Sequence, residues 1–272
     1  MTLSLSEIST VGASFEEDVQ AYAAAGFDGI GIWEMKLGDD DTALESLRAS
    51  GLRVTNCVPQ VPSILPNTVI DGPADVEERV ASMRASLHRL AAYEPDCVLC
   101  LTGPAGGRDE EEARSLVVDG LRRLAAAADD AGVRLGLEPI HASQRDQLTL
   151  ITTIPETLDL LDEAGLPDVG IMVDLWHLWD SPEIDRHLHE NVGRITGVHV
   201  ADWHGDGRDE RALPGAGVAR IGELLHVLRD SGWNGAWDVE IFGTPDDPAS
   251  FWALDVGEAA RRAHAAISAL ER

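Results

Sequence analysis

A short apolar run followed by a helical pattern recurs eight times along this chain, at intervals of roughly 30 residues, and few architectures accommodate that rhythm. The apolar runs fall at 3–10, 29–35, 53–58, 96–103, 134–140, 169–176, 193–200 and 236–242. Amphipathic, Ala-rich or charged segments lie between them, at 15–25, 41–50, 74–93, 110–131, 155–164, 182–190, 218–231 and 248–271. Several open on start signals, such as Asp180-Ser181-Pro182 and Thr153-Ile154-Pro155-Glu156, and many close on glycine, at Gly26, Gly51, Gly132 and Gly232. The runs are near-continuously apolar, as expected of parallel strands covered by helices. Eight such units predict an α/β protein, a single (β/α)8 barrel spanning 1–272. An open doubly wound sheet fits less well. No Gly-x-Gly-x-x-Gly follows the first run, and the glycine cluster Gly103–Gly107 reads as a plain loop.

Charge narrows the class of partner. With 48 acidic against 21 basic residues the formal net charge is -27, which repels phosphate backbones and anionic membranes. The expected partner is a small molecule, with neither nucleic acid nor membrane. No apolar run approaches the ~20 residues of a membrane span. MTLSLSEIST at the start has no basic or apolar targeting pattern, so a cytoplasmic location is expected. The three cysteines do not suggest a disulfide framework. Cys97 and Cys100 mimic a CxxC motif, but residues three apart on a strand face opposite sides, so both are expected to pack rather than bind.

The second half of the chain carries the chemistry. Glu138, Asp174, His199 and Glu240 each close one of four successive apolar runs, where an unpartnered charge costs several kcal/mol. One strand register turns all four inward: Glu138 shares a face with Gly136, Asp174 with Met172 and Gly170, His199 with Gly197, and Glu240 with Asp238. Strand C-termini are where barrel enzymes place their reacting groups. Three carboxylates and an imidazole suit one divalent ion, Mn²⁺, Mg²⁺, Co²⁺ or Zn²⁺, able to polarise a carbonyl.

The segments LEPIH, VDLWH, HVADW and VEIF resemble, in order and spacing, those of the sugar-phosphate isomerase/epimerase superfamily, with its xylose-isomerase-like TIM barrel. The resemblance covers essentially the whole chain and is strongest from Gly132 to Phe242. It implies a divalent ion, most often Mn²⁺, held by Glu138, Asp174, His199 and Glu240. From the ketose 3-epimerases it implies that Glu138 and Glu240 move protons on opposite faces of the substrate, and that His177 and an arginine before a PGxG turn contact it. Arg211 in RALPGAG is the nearest match to that arginine, but WHGDGRDERALPGAG is longer than the usual epimerase loop, so Arg208 competes with it. His141, just after Glu138-Pro139-Ile140, departs from the epimerase pattern and resembles branches with lyases and dehydratases, where a histidine serves as base.

Three function readings follow. The leading one is a metal-dependent isomerase or epimerase of a ketose, keto-sugar or related polyol, working by proton transfer through an enediolate. The second is a lyase or dehydratase on a keto-sugar or keto-glycoside, C-glycoside cleavage included, with His141 as base. The third is a non-catalytic sugar-binding barrel. A homo-oligomer or a small partner subunit is compatible with each. DNA cleavage by the superfamily's trinuclear-zinc branch is disfavoured, because that chemistry needs histidines early in the barrel and His88 is the only one before His141. Trp33, Glu34, Asn56, Gln60 and Thr102 follow or end the early strands and are candidates for sugar contacts. Of the tryptophans flanking His177, Trp179 is the better candidate for a pocket wall than Trp176.

Overall fold

The structure, a computed structural model, describes residues 1–207 and 210–271. Among the described residues ten strands form: β1 (Thr2–Ser6), β2 (Gly29–Trp33), β3 (Arg53–Val58), β4 (Val98–Cys100), β5 (Leu135–Leu137), β6 (Gly170–Asp174), β7 (Ile195–Val200), β8 (Asp202–Trp203), β9 (Arg211–Ala212) and β10 (Ala236–Val239). Eight close into a parallel barrel in the order β1-β10-β7-β6-β5-β4-β3-β2, while β8 and β9 form a small antiparallel pair above it. Around the barrel run α1 (Phe15–Ala25), α2 (Asp40–Ser50), α3 (Val76–Leu90), α4 (Glu110–Ala131), α6 (Ile154–Ala164), α8 (Ile184–Glu190), α9 (Ile221–Asp230) and α10 (Val256–Leu270). The single turns α5 (Arg145–Leu148) and α7 (Leu175–Leu178) belong to connections after β5 and β6. Among the described residues no helix is long and apolar enough to cross a membrane.

Local chemistry sets the boundaries. Ser14 caps α1 in a capping box with Glu17, and the caps of α2, α3 and α4 are Asp39, Asp75 and Asp109. Gly26 and Gly51 end α1 and α2 in the left-handed conformation that glycine adopts without steric cost. The strands are shorter than the apolar runs suggest. The run at 169–176 stops at Asp174 because its carboxylate accepts from Trp176 N (2.8 Å) and caps the turn α7. Similarly, α8 starts at Ile184, two residues later than expected from Pro182.

Leu, Ile and Val on the outer strand faces form one large core with the helices. The barrel interior is smaller and mixed: Ile8, Val58, Cys97, Leu99, Leu101, Ile140 and Met172 pack together there. Cys97 belongs to the interior group and Cys100 to the outer core, so the two face opposite ways, as strand parity requires. Glycines on the inner face leave room for polar groups. A Cβ on Gly31 would meet Asp238 Oδ2 at 2.4 Å. Register shifts in the β2–β3 and β6–β7 ladders admit Thr55 and Thr196 as extra residues.

Candidate active site

Glu138 directly follows β5, Asp174 ends β6, His199 lies in β7 and Glu240 directly follows β10, so four strands adjacent in the barrel aim one polar group each at the same mouth. The backbone holds them there. Asp174 pairs with His199 across the β6–β7 ladder, Glu138 N donates to Cys100 O (3.0 Å), and Glu240 N donates to Val200 O (3.2 Å). All four are buried. Ligand atoms of Glu138, Asp174 and His199 lie within 4.8 Å of one another, the spacing of a shared cation. His199 Nδ1 stands 3.7 Å from Glu138 Oε1 and 3.3 Å from Glu240 Oε2, so both glutamates flank the same imidazole nitrogen.

The other face of that imidazole is anchored. His199 Nε2 meets Asn56 Oδ1 at 3.3 Å and Asp238 Oδ2 at 3.5 Å, and Asn56 Nδ2 donates to Asp238 Oδ2 (2.8 Å). This arrangement turns Nδ1 toward the carboxylates, as outer partners orient metal-binding histidines.

Two observations show that the residues fit a divalent ion. Glu138 Oε1 and His199 Nδ1 are buried with no hydrogen-bond partner among the described residues, although they line the same spot. Burying such atoms unpaired is costly, and a cation would engage both. Charge also fails to balance: among the described residues the carboxylates of Glu138, Asp174, Asp238 and Glu240 face His199 and Arg211, with His177 Nε2 a further 3.7 Å contact of Asp174. The titration behaviour reflects this crowding. Burial would by itself depress His199, but Glu240, Glu138 and Asp238 outweigh it and push the imidazole up to about 10. Burial lifts Glu138 to about 7. Asp174 is held below its ordinary value, its burial outweighed by Arg211, His177 and His199.

Arg211 is fixed by the β8–β9 pair, opposite Trp203, and its own N donates to Phe242 O (2.9 Å). Its guanidinium lies between the rings of Trp176 (4.9 Å) and Phe242 (4.5 Å). Nη1 reaches Asp174 Oδ2 at 2.7 Å and Glu240 Oε2 at 2.8 Å, and Nη2 approaches His177 Nε2 at 3.3 Å. His177 keeps Nδ1 unpartnered among the described residues, and burial depresses this imidazole to about 3, leaving it neutral. Arg208 lies outside the described residues.

These side chains form one end of a cavity of about 520 Å³ that Glu138, His177, Arg211, Glu240 and Trp176 help to line. The other sugar-contact candidates sit elsewhere. Glu34 accepts from Gln60 N (2.8 Å) and faces Arg89 (3.5 Å), and Trp33 packs on the interior apolar group. Thr102 spends its hydroxyl on Leu150 N (2.8 Å) and Thr149. Asn56 lies within β3 and serves His199. His141 Nδ1 accepts from Ser143 N (3.2 Å) and meets its hydroxyl at 2.7 Å, Nε2 faces Asp180 (3.4 Å), and the ring packs on Trp203. None of Trp33, Glu34, Thr102 and His141 lines the cavity. The tryptophan on the wall is Trp176, stacked on Trp203 at 4.5 Å, whereas Trp179 packs behind it. Sequence reasoning missed Asp238 as the anchor of His199, although its shared face with Glu240 was a usable signal.

Residues 19–267 match the family described as the xylose isomerase-like TIM barrel. The chain belongs to this family. Among curated relatives of this xylose isomerase-like barrel is a D-psicose 3-epimerase of Enterocloster bolteae, 30% identical over 134 residues, which are 49% of this chain and 42% of the relative. A 3-dehydroshikimate dehydratase of Pseudomonas aeruginosa is 24% identical over 261 residues, 89% of this chain and 38% of the relative. The chain thus spans less than half the length of these relatives. Among the solved structures that share the fold are a protein of Sinorhizobium meliloti 1021 (TM-score 0.87, 23% identity, 98% of both chains) and the IOLI protein with a bound zinc atom (TM-score 0.81, 20% identity, 99% of this chain and 98% of that one).

Proposed function

We propose that this barrel is a divalent-metal-dependent isomerase or epimerase of a ketose, keto-sugar or related polyol. The observation that carries the reading is the convergence of Glu138, Asp174 and His199 within 4.8 Å, with Glu240 against the same imidazole nitrogen. Glu138, Asp174, His199 and Glu240 would hold the ion, Mn²⁺ by the family resemblance, and when bound it supplies charge that polarises a carbonyl and its neighbouring hydroxyl. The chain's own groups do the rest. Glu138 and Glu240, flanking His199, are placed to take a proton from carbon beside the carbonyl and return one, giving an enediolate between the two transfers. Arg211 and the free Nδ1 of His177 orient substrate oxygens. Similarity to the D-psicose 3-epimerase supports this reaction class.

A second reading, a lyase or dehydratase with His141 as base, draws support from the match to the 3-dehydroshikimate dehydratase. The placement of His141 argues against it, since both ring nitrogens are engaged outside the cavity. Incorporation of solvent deuterium into a panel of ketoses, inososes and keto-glycosides, with Mn²⁺ added, tests the primary reading; absence of exchange in every member contradicts it. His141→Ala separates the two. A loss under tenfold is expected, whereas a general base would cost ~10²–10⁴-fold.

A further inference from the structure

The buried charged groups of the cavity gather at one end. Away from Glu138, His177, Arg211 and Glu240 its wall is built from Ile8, Val58, Leu99, Leu101, Ile140 and Phe242. Five of these are buried members of the interior apolar group, held on or beside β1, β3, β4 and β5, and Phe242 packs against it. Of the other polar residues on the lining, Gln147 and Thr244 are exposed, half-buried Glu210 accepts from Ser250 Oγ (2.7 Å) and Phe251 N (3.1 Å), and half-buried Gln144 keeps one buried oxygen without a partner among the described residues. Ile70, packed on the same group, and Val69, 58% exposed, close this side from above, where Thr68 N donates to Gln147 O (3.4 Å).

A free ketose carries a hydroxyl on nearly every carbon. Seated at the polar end, it would leave the apolar space unfilled or strand hydroxyls against hydrocarbon, each at a cost of roughly tenfold or more in affinity. The volume of about 520 Å³ falls in the ~300–1,000 Å³ range that encloses drug-sized molecules. An apolar substituent would instead gain by leaving water.

We infer that the substrate is a keto-sugar carrying an apolar, ring-sized aglycone, with the sugar at the Glu138–Arg211 end and the aglycone against Leu99, Leu101, Ile140 and Phe242. This assignment deepens the proposed function and rests on it for which part of the ligand meets the polar end. It makes Leu101 and Ile140 specificity determinants rather than core alone, and it places Val69 and Ile70 over the bound aglycone.

Calorimetric binding of phenyl β-D-glucoside and methyl β-D-glucoside to the Mn²⁺-supplemented protein tests the subsite without requiring turnover. The phenyl compound should bind at least tenfold more tightly, and a cyclohexyl glucoside should follow it. Ile70→Ser, a change in a connecting loop, should reduce that preference severalfold. Leu101→Thr provides a second, interior variant with the same expectation. Equal affinity for phenyl and methyl compounds, or a preference unchanged in both variants, overturns the inference. Solvent-deuterium exchange with phenyl and methyl 3-keto-glucosides then isolates the reaction. Exchange at equal kcat/KM overturns the subsite while leaving the reaction class standing. Preferential phenyl binding without exchange upholds the subsite and removes the reaction class.

Discussion

The two halves of the barrel mouth are built from the same strand–loop units, yet they present opposite surfaces to the cavity. From β5 onward the strand ends deliver Glu138, Asp174, His199 and Glu240 inward. From β1 to β4 the inward positions deliver Ile8, Val58, Leu99 and Leu101, while Glu7 and Glu34 near those strand ends accept from the backbone N–H groups of Trp33 and Gln60. Glu7 and Glu34 are as buried as Glu138: Glu7 Oε2 accepts from Trp33 N (2.9 Å) while its Oε1, without a hydrogen-bond partner among the described residues, stands 3.9 Å from Lys36, and Glu34 accepts from Gln60 N beside Arg89. Asp18 joins the first network through Lys36 and Thr10. Burial of an acid at a strand end is therefore no sign of chemistry by itself. What separates the halves is where the unpaired atoms lie: Glu138 and His199 keep theirs at a shared spot, whereas Glu7 Oε1 lies beside the Lys36 ammonium and Glu34 is engaged by groups of its own surroundings.

The comparison is most exposed to substitution at Glu240. Glu240→Gln keeps the shape but cannot act as a base, so solvent-deuterium exchange should fall ~10²–10⁴-fold. Metal content measured in parallel separates loss of the base from loss of the ion. Wild-type exchange in this variant would remove Glu240 from the reaction.

Glu34→Gln sharpens the contrast from the other side. Exchange should stay within a few-fold of wild type and metal content should not change. Gln keeps an acceptor for Gln60 N and loses only the ion pair with Arg89, so the cost in chemical denaturation should be about 1 kcal/mol or less. A variant of native stability that lost its metal would erase the distinction drawn between the two halves.

A smaller effect separates the halves by pH. Because His199 is raised to about 10 in the folded chain against an ordinary value near 6.5, its protonated form contributes stability that is fully present below about 6.5 and lost as pH rises through about 10. The melting temperature of chelator-treated protein should therefore fall across this window. Divalent ion, which takes the place of that proton, should flatten the decline. A flat profile without metal would show that the carboxylates do not act on His199 as described.

Most of this architecture was readable from residue order. Parity alone placed Glu138, Asp174, His199 and Glu240 on one face, because glycine or another inward residue sits two positions before each. The same rule, applied to Gly31-Ile32-Trp33-Glu34, would have turned Glu34 outward, since it lies three positions from the inward glycine rather than two. Other features depend on contacts distant in sequence. His141 is held by Ser143 and Asp180, Arg211 is sandwiched between Trp176 and Phe242, and Thr102 is tied to Leu150. The apolar side of the cavity was hidden because Leu99 and Ile140 look identical to core in a sequence, and only closure of the barrel shows them facing a void.

Metal analysis of the purified protein and its Asp174→Ala variant tests the central claim most directly. Asp174 shares the 4.8 Å cluster with Glu138 and His199. Wild-type protein dialysed against Mn²⁺ should retain close to one divalent ion per chain, and the folded variant should lose it. Full occupancy in Asp174→Ala, or none in the wild type, would contradict the assignment of these strand ends as a metal centre.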